Sequence, residues 1–297
     1  MRIPTFARST IRSAGRIFST AAGLLLAIGS AVAAEPAAAP ASPAPAATGK
    51  TGPVVLLKLD DLRWHGNGPK ATVTPRWQKV TDFLEGMGLK ASYGIICESL
   101  ADDDHPGYIA WLKERESKGL IELWNHGYIA AFKADNAAGK TAQFVGTTLD
   151  EQRASITKGQ DLFRAKLGHD MHAFGPHASG VDATTYQVLN ELPPITMVWY
   201  YGPPTGVTSD KFVFERRLNL EVPTFVPNPD DVRTRFEKYG RSLPYIAMQG
   251  HPNQWDDQRY ADFTTIVKYL VDQGCTFTTP SEYLAAHPAA QQKTPTP

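Results

Sequence analysis

Short apolar runs alternate with segments of helical periodicity through the middle of the chain, and this alternation limits the possible folds more than any other feature. The runs VVLLKLDD (54–61), ASYGIIC (91–97) and LIELW (120–124) indicate buried strands. Between them, PRWQKVTDFLEGMG (75–88) begins with Pro and ends at Gly, as helices do. Repeated strand–helix units imply parallel strands with right-handed crossovers, so the sequence predicts an α/β domain, either a closed barrel or an open doubly wound sheet.

The same alternation continues towards the C-terminus. A Thr148–Glu151 capping box predicts the start of a helix, and further helices are expected over 231–239 and 257–273. The remaining predicted strands are HAFG (172–175), ITMVWY (195–200), KFVFERRLNL (211–220), LPYIAMQ (243–249) and CTFTT (275–279).

The N-terminal residues 1–33 have the pattern of a secretory signal peptide. Four Arg residues precede the apolar run AAGLLLAIGSAVAA (21–34), which contains a small-residue cleavage pattern. This run is shorter than the roughly 20 residues that a bilayer-spanning helix needs, although a permanent anchor is the alternative. We therefore expect an exported protein, periplasmic or secreted, with no stable membrane anchor after cleavage.

Three further segments follow the predicted signal peptide. Residues 34–51 are rich in Pro and Ala, which indicates an extended linker. Residues 52–287 have the size of one α/β barrel, and residues 288–297 form a short tail of similar composition to the linker.

Charge and cysteine content exclude several classes of protein. Lys and Arg together number 30, as do Asp and Glu, so there is no uniform basic field for binding nucleic acid. Loss of the signal peptide removes four Arg and no acid, which leaves a mildly acidic chain. Cys97 and Cys275 allow one disulfide at most, and because both lie in apolar stretches we expect buried free thiols.

Polar residues follow several of the predicted strands at their C-terminal ends, where α/β folds place their reactive groups. Asp60 and Asp61 end the first strand, His126 ends the third, Pro176 and His177 follow the fourth, and His251 follows LPYIAMQ. An Asx turn could explain the Asp pair alone, and a structural hydrogen bond could explain His126 alone. Their common occurrence at strand ends favours a catalytic site, and alternation along a strand predicts that Asp60 and Asp61 point to different sides.

Taken together, LLKLDD, WNHGY, FGPHASG, and MQGHP followed by CTFTTPSEY resemble the polysaccharide deacetylase (NodB-homology) family, in the right order over about residues 54–284. The resemblance implies a distorted (β/α) barrel of about seven parallel strands and a metal-dependent hydrolase that removes N- or O-acetyl groups from carbohydrate. It implies that Asp60 is the general base, that Asp61 and His126 bind a divalent metal, with Zn²⁺ as the expected ion, and that His251 is the general acid.

The sequence departs from the family pattern at two places. Ala130 occupies the position of a second ligand His, and we expect His177 to supply the third ligand, or else to line the substrate pocket. Phe174 replaces an Arg that orients the base in the family, and Arg63 is a candidate for that role.

Substrate contacts and two alternative functions complete the sequence-based hypothesis. The resemblance also implies that the backbone N–H after Pro176 stabilises the oxyanion. Trp64, Trp199 and Trp255 lie near strand ends and could stack on sugar rings, with core packing as the alternative. The alternatives for the whole chain are a catalytically degenerate carbohydrate-binding protein and a hydrolase of a non-sugar amide or ester.

Overall fold

The structure is a computed structural model that describes residues 51–130, 133–136, 139–178 and 180–288, with the backbone alone between 133 and 141. The predicted signal peptide, nearly all of the linker and all but the first residue of the tail lie outside the described residues. Within those residues, no helix is long and apolar enough to cross a membrane.

The strands predicted from the sequence are present, together with a two-stranded hairpin that was not predicted. The strands are β1 (Val54–Leu62), β2 (Ala91–Ile95), β3 (Ile121–Asn125), β4 (Lys133–Asn136), β5 (Gly139–Thr141), β6 (Ala173–Phe174), β7 (Met197–Trp199), β8 (Phe212–Phe214), β9 (Tyr245–Gly250) and β10 (Thr276–Phe277). The α-helices are α1 (Pro75–Gly86), α2 (Pro106–Ser117), α3 (Leu149–Leu167), α4 (Ala183–Asn190), α5 (Pro229–Lys238), α6 (Asp257–Asp272) and α7 (Pro280–Ala286).

Eight of these strands form one sheet in which every pairing is parallel. On one side β1 pairs with β9, and on the other it pairs first with β10 and then with β2. Strands β3, β6, β7 and β8 follow β2 in that order, and no ladder joins β8 to β9 within the described residues. The sheet is therefore an open, distorted (β/α) barrel, as the resemblance implies, with β4 and β5 as a separate hairpin.

Strand β1 is buried on both faces, as expected for a central strand of a parallel sheet. Val55, Leu57 and Leu59 pack into the core beneath the helices. Leu56 packs on the opposite face, into a cluster that contains Trp124 and Trp199. Because successive side chains alternate, residues 58 and 60 continue the Leu56 face into the barrel.

Local signals in the sequence account for the helix boundaries. Thr74 caps α1 by accepting from the N–H of Trp77, and Pro75 occupies the first turn. The predicted capping box of Thr148 and Glu151 is present at α3, which ends at Gly168 with φ of 94°.

Cys97 and Cys275 are free and buried, as predicted, and burial raises the pKa of each thiol to about 12.

The strand predicted over 211–220 is wrong in length, because regular pairing ends at Phe214. The arginines that follow are exposed, and Arg216 turns its guanidinium towards Gln249.

Candidate active site

The register of the sheet brings the predicted site residues to one edge of the barrel. Leu59 pairs with Gly250, while Asn125 pairs with both Ile95 and Phe174. The residues that follow these positions therefore emerge side by side at the C-terminal ends of β1, β9, β3 and β6. They are Asp60, Asp61, His251, His126, Pro176 and His177.

Asp60 is buried and bonded by two side chains that sequence reasoning missed. Lys58 Nζ lies 2.6 Å from both carboxylate oxygens, and Gln249 Nε2 donates to Oδ2 at 2.7 Å. Burial lowers the pKa of Lys58, although the neighbouring Asp60 charge opposes this. These contacts hold the carboxylate in one orientation inside the barrel.

The base-orienting role expected for Arg63 is wrong, because Arg63 is exposed while Lys58 holds both oxygens of Asp60. Lys58 reaches Asp60 because residues two apart on a strand share a face. A Lys inside the continuous apolar run VVLLKL was the signal for this residue, since an unpaired ammonium is rarely buried.

Asp61 does not point away from Asp60, as alternation along the strand predicted. Its φ of 68° lies in the left-handed region, which interrupts the alternation at the strand end. As a result both carboxylates approach one imidazole: His126 Nε2 lies 3.4 Å from Asp61 Oδ1 and 3.6 Å from Asp60 Oδ2.

His126 and His177 face Asp61 from two neighbouring strand ends. His126 Nδ1 is 2.7 Å from the carbonyl oxygen of Gly175, which orients its Nε2 towards the carboxylates. His177 Nε2 lies 3.7 Å from Asp61 Oδ1, and the two imidazole centroids are 5.5 Å apart. The structure thus brings together the three residues that the sequence suggested as ligands.

These three side chains have the donor types that a divalent cation binds, and the two Asp61–imidazole distances are 3.4 and 3.7 Å. Two donors, each about 2.0–2.2 Å from a tetrahedral ion, are about 3.4 Å apart, close to both Asp61–imidazole distances. Asp61 Oδ1 is buried and accepts no well-formed hydrogen bond from the described residues. Among the described residues, however, no group of three or more His, Cys, Asp or Glu side chains is placed so that it could hold a metal ion.

The charge state of Asp61 is compatible with a ligand role. Burial by itself raises the pKa of Asp61, but the nearby His126, His251 and His177 outweigh burial and hold the pKa well below its usual range. Burial also lowers the pKa of His177, which favours the neutral imidazole that binds metal.

His251 is held by a buried carboxylate, Glu221, that the sequence analysis did not single out. Glu221 Oε2 lies 2.7 Å from His251 Nδ1, and Oε1 accepts the backbone N–H of His251 at 2.9 Å. This leaves His251 Nε2 3.8 Å from Asp60 Oδ2. Burial alone lowers the pKa of His251, but the hydrogen bond to Glu221 and the charge of Asp60 raise it above its ordinary value.

Comparison with solved structures identifies the fold. An acetyl xylan esterase of family 4 from Clostridium thermocellum, in complex with a cobalt ion, is 14% identical with a TM-score of 0.52, over 78% of this chain and 91% of that chain. A family 4 carbohydrate esterase from Streptomyces lividans is 15% identical with a TM-score of 0.52, over 82% and 97%. This chain has the fold of the family 4 carbohydrate esterases.

The family 4 esterase fold is not restricted to active enzymes. A pseudoenzyme of that family from Bacillus anthracis is 14% identical with a TM-score of 0.50, over 78% of this chain and 66% of that chain. No family model and no curated protein matches the sequence. The structural likeness therefore establishes the fold, and the chemistry of this chain must be argued from its own residues.

Ala130 lies in an irregular segment, not on a helix. The chain leaves β3 at Asn125 and is non-helical over the described residues 126–130. A side chain at residue 130 is therefore not aligned with His126 by a helical turn. His177 approaches Asp61 from the loop after β6 instead.

Two of the three tryptophans proposed for sugar stacking are core residues. Trp199 is completely buried and Trp255 is 2% exposed, so neither indole has a face available to a sugar. Trp255 donates its Nε1–H to Glu221 Oε1 at 2.8 Å and thereby supports His251 indirectly. Trp64 is partly exposed and stacks on His105 with centroids 3.9 Å apart, so it stays a candidate for substrate contact.

Trp124 forms the floor of the site. Its ring lies 4.6 Å from Lys58 Nζ and makes an edge contact with His126 at 4.9 Å. Gly94 and Gly175 lie against this indole, and a Cβ at those positions would approach it to 2.4 and 2.7 Å. The floor therefore supports both Lys58 and His126.

Left-handed backbone at non-glycine residues is concentrated around this site. Among the described residues, φ is positive at Asp61, Ala178, Tyr200 and Phe225, with values of 66–73°. Asp61 faces the imidazoles, Ala178 follows His177, the Tyr200 ring lies 5.3 Å from Lys58 Nζ, and Phe225 contacts His251. Such conformations cost energy and persist where the surrounding structure enforces them, often at functional sites.

Proposed function

We propose that this chain is an exported, metal-dependent hydrolase that removes N- or O-linked acetyl groups from a carbohydrate. The observation that carries the proposal is the buried pair of Asp60 and His251, 3.8 Å apart, beside Asp61 and two imidazoles. A carboxylate and an imidazole that face one space can serve as base and acid in the same reaction.

In the proposed reaction, Asp60 accepts a proton from water as the water oxygen attacks the acetyl carbon. The bond from that carbon to the sugar nitrogen or oxygen then breaks. His251 donates a proton from Nε2 to the departing atom, and the products are acetate and the free amine or hydroxyl. Lys58 and Gln249 orient the base, while Glu221 stabilises the protonated acid.

Asp61, His126 and His177 would hold the divalent metal, for which two imidazoles and a carboxylate favour Zn²⁺. When bound, such an ion polarises the acetyl carbonyl and lowers the pKa of water. Pro176 restricts the loop that carries His177, and we propose that the backbone N–H after Pro176 donates to the developing oxyanion.

A carbohydrate-binding protein without catalysis is the second candidate. Ala130, in place of the second ligand His that the family resemblance implies, favours it, and one solved structure with this fold is a pseudoenzyme. Against it, a binding protein needs neither a buried base nor an acid paired with Glu221.

Acetate release by the purified chain, measured with metal content, tests the proposal. We expect release from acetylated xylan or chitin oligosaccharides, abolished by chelation and restored by Zn²⁺. Sugar binding without acetate release would favour the second candidate, and acetate release only from non-sugar esters or amides would overturn the carbohydrate assignment.

His251→Ala provides a test of the acid within the same assay. The loss of activity should be largest for acetamides, whose leaving nitrogen must be protonated, and smaller for activated esters, whose leaving groups depart as anions. Equal losses on both substrates would indicate a binding role for His251.

A further inference from the structure

The segment from Glu221 to Pro227 presents an aromatic side chain at the site in an unusual way. Phe225 is 40% exposed and is one of three large hydrophobic residues with this degree of exposure in the described structure. Its φ of 73° is in the left-handed region, which is unfavourable for a bulky residue. Residue 225 therefore combines two features that are unfavourable for folding, a strained backbone conformation and an exposed phenyl ring.

The loop around Phe225 is firmly held. Glu221 Oε2, which bonds His251 Nδ1, also accepts the N–H of Phe225 at 2.9 Å. Val222 N–H donates to the carbonyl oxygen of Val226 at 2.8 Å, and Asn228 N–H donates to that of Leu220 at 3.0 Å. A single carboxylate therefore positions the acid and the phenyl ring together.

The phenyl ring lies directly beside the proposed acid. The ring centroids of Phe225 and His251 are 4.8 Å apart at an interplanar angle of 82°. His251 Nε2 faces Asp60, and this nitrogen is the one that would protonate the departing atom. A group next to His251 is consequently placed to contact the leaving group.

We propose that Phe225 is a specificity-determining residue that binds the leaving group by stacking on a sugar ring. This inference rests on the proposed function, and it assigns the contact to the sugar that departs. A phenyl ring offers an apolar face, which matches the C–H face of a pyranose, and its neighbours Pro223 and Thr224 are also exposed. The left-handed backbone at residue 225 is then explained as a cost of presenting the ring.

Two substrates that share the acetyl group but differ in the leaving group test this inference. We expect Phe225→Ala to lower kcat/KM on acetylated xylohexaose about tenfold, and at least fivefold more than on ethyl acetate, which has no ring to stack. Phe225→Tyr should retain most of the activity on the sugar. Val145→Ala removes another exposed apolar side chain and serves as the matched control, with no change expected on either substrate.

Stability and binding measurements distinguish this inference from the proposed function. Phe225→Gly should melt no lower than the wild type, because glycine adopts positive φ without strain, and yet should lose sugar activity as Phe225→Ala does. Calorimetric titration with unacetylated xylohexaose and with a fully deacetylated glucosamine hexamer should show weaker binding by Phe225→Ala than by the wild type.

The outcomes distinguish a failure of the role proposed for Phe225 from a failure of the proposed hydrolase function. Equal losses on acetylated xylohexaose and ethyl acetate would overturn the role of Phe225 while leaving the hydrolase intact. If the wild type releases acetate from neither compound, the proposed function fails for these substrates and the titration decides the role of Phe225. Equal binding by wild type and Phe225→Ala, or no binding of either oligosaccharide, would then overturn it.

Discussion

The site has an acid side, formed by Glu221 and His251, and a ligand side, formed by Asp61, His126 and His177. The two sides differ in how many of their polar atoms already have hydrogen-bond partners within the protein. On the acid side, the two oxygens of Glu221 accept four hydrogen bonds, from His251 N–H and Nδ1, Trp255 Nε1 and Phe225 N–H. On the ligand side, Asp61 Oδ1 is buried and has two imidazole nitrogens at 3.4 and 3.7 Å without a well-formed hydrogen bond.

This difference separates two kinds of preorganisation. A buried carboxylate with all its donors in place is stabilised by folding alone, so the acid side needs no ligand to hold its geometry. A buried carboxylate oxygen that faces two imidazoles gains most when a cation binds between them. We therefore expect ligand binding to stabilise one side and to leave the other unchanged.

Asp60→Asn gives the largest expected effect, because it removes the proposed base, which lies between His126 on the ligand side and His251 on the acid side. Loss of a general base lowers turnover by roughly 10²- to 10⁴-fold. The amide fills the same volume, so the circular dichroism spectrum and the Zn²⁺ content should match those of the wild type. A variant that keeps more than about a tenth of the wild-type rate would remove Asp60 from the base role.

Lys58→Met tests the contact that holds Asp60 between the two sides. It leaves the buried Asp60 carboxylate with Gln249 as its remaining side-chain donor. The free energy of unfolding, measured with urea, should therefore fall by about 3–5 kcal/mol. Lys58→Met/Asp60→Asn should be less destabilised than the sum of the single variants, because the unpaired charge is gone. Lys79→Met removes an exposed ion pair and should be nearly neutral. Additive losses would show that Lys58 acts through packing alone.

His177→Ala tests whether the ligand side is completed by a cation. At a Zn²⁺ concentration about 100 times Kd, binding stabilises the fold by about 2.7 kcal/mol, which for a domain of this size corresponds to a rise in Tm of about 5–10 °C. We expect this shift in the wild type, a much smaller shift in His177→Ala, and a full shift in His169→Ala, which removes an exposed imidazole paired with Glu116. A full shift in His177→Ala would show that His177 is not a ligand.

Glu221→Gln should have the smallest effect, on the pH dependence of the acid side. The Glu221 charge favours the imidazolium, so its removal lowers the pKa of His251, and the alkaline limb of kcat should move about one unit to lower pH. The charged pair stabilises the fold below the unfolded pKa of His, and this contribution disappears as pH rises through the folded pKa. Glu215→Gln, which changes an exposed carboxylate, is the control. If the alkaline limb of the kcat profile does not move in Glu221→Gln, that limb does not report the ionisation of His251.

The sequence predicted most of the fold because its signals are local. Apolar runs, helix caps and strand-end polar residues mark most of the elements and the edge at which Asp60, Asp61, His126, His177 and His251 meet. Residue roles at that edge stay predictions, since proximity alone does not establish chemistry.

What the sequence analysis missed depends on contacts between distant segments. Glu221 lies 30 positions before His251, and only the folded loop brings its carboxylate to the imidazole. The burial of Trp199 and Trp255 likewise depends on how the sheet closes over them, which residue type and strand position do not determine. The left-handed backbone at Asp61 also depends on its surroundings in the fold, because an Asp residue permits that conformation without requiring it.

The close packing of Gly94 and Gly175 against Trp124 limits which substitutions this protein can tolerate. Gly94 and Gly175 need to be glycine because of the indole that fills the space above them, and neither has a backbone angle that requires it. A single added methyl group at either position would displace the indole that contacts Lys58 and His126. Some of the most damaging substitutions in this chain should therefore be glycine to alanine, at two residues with no chemical group of their own.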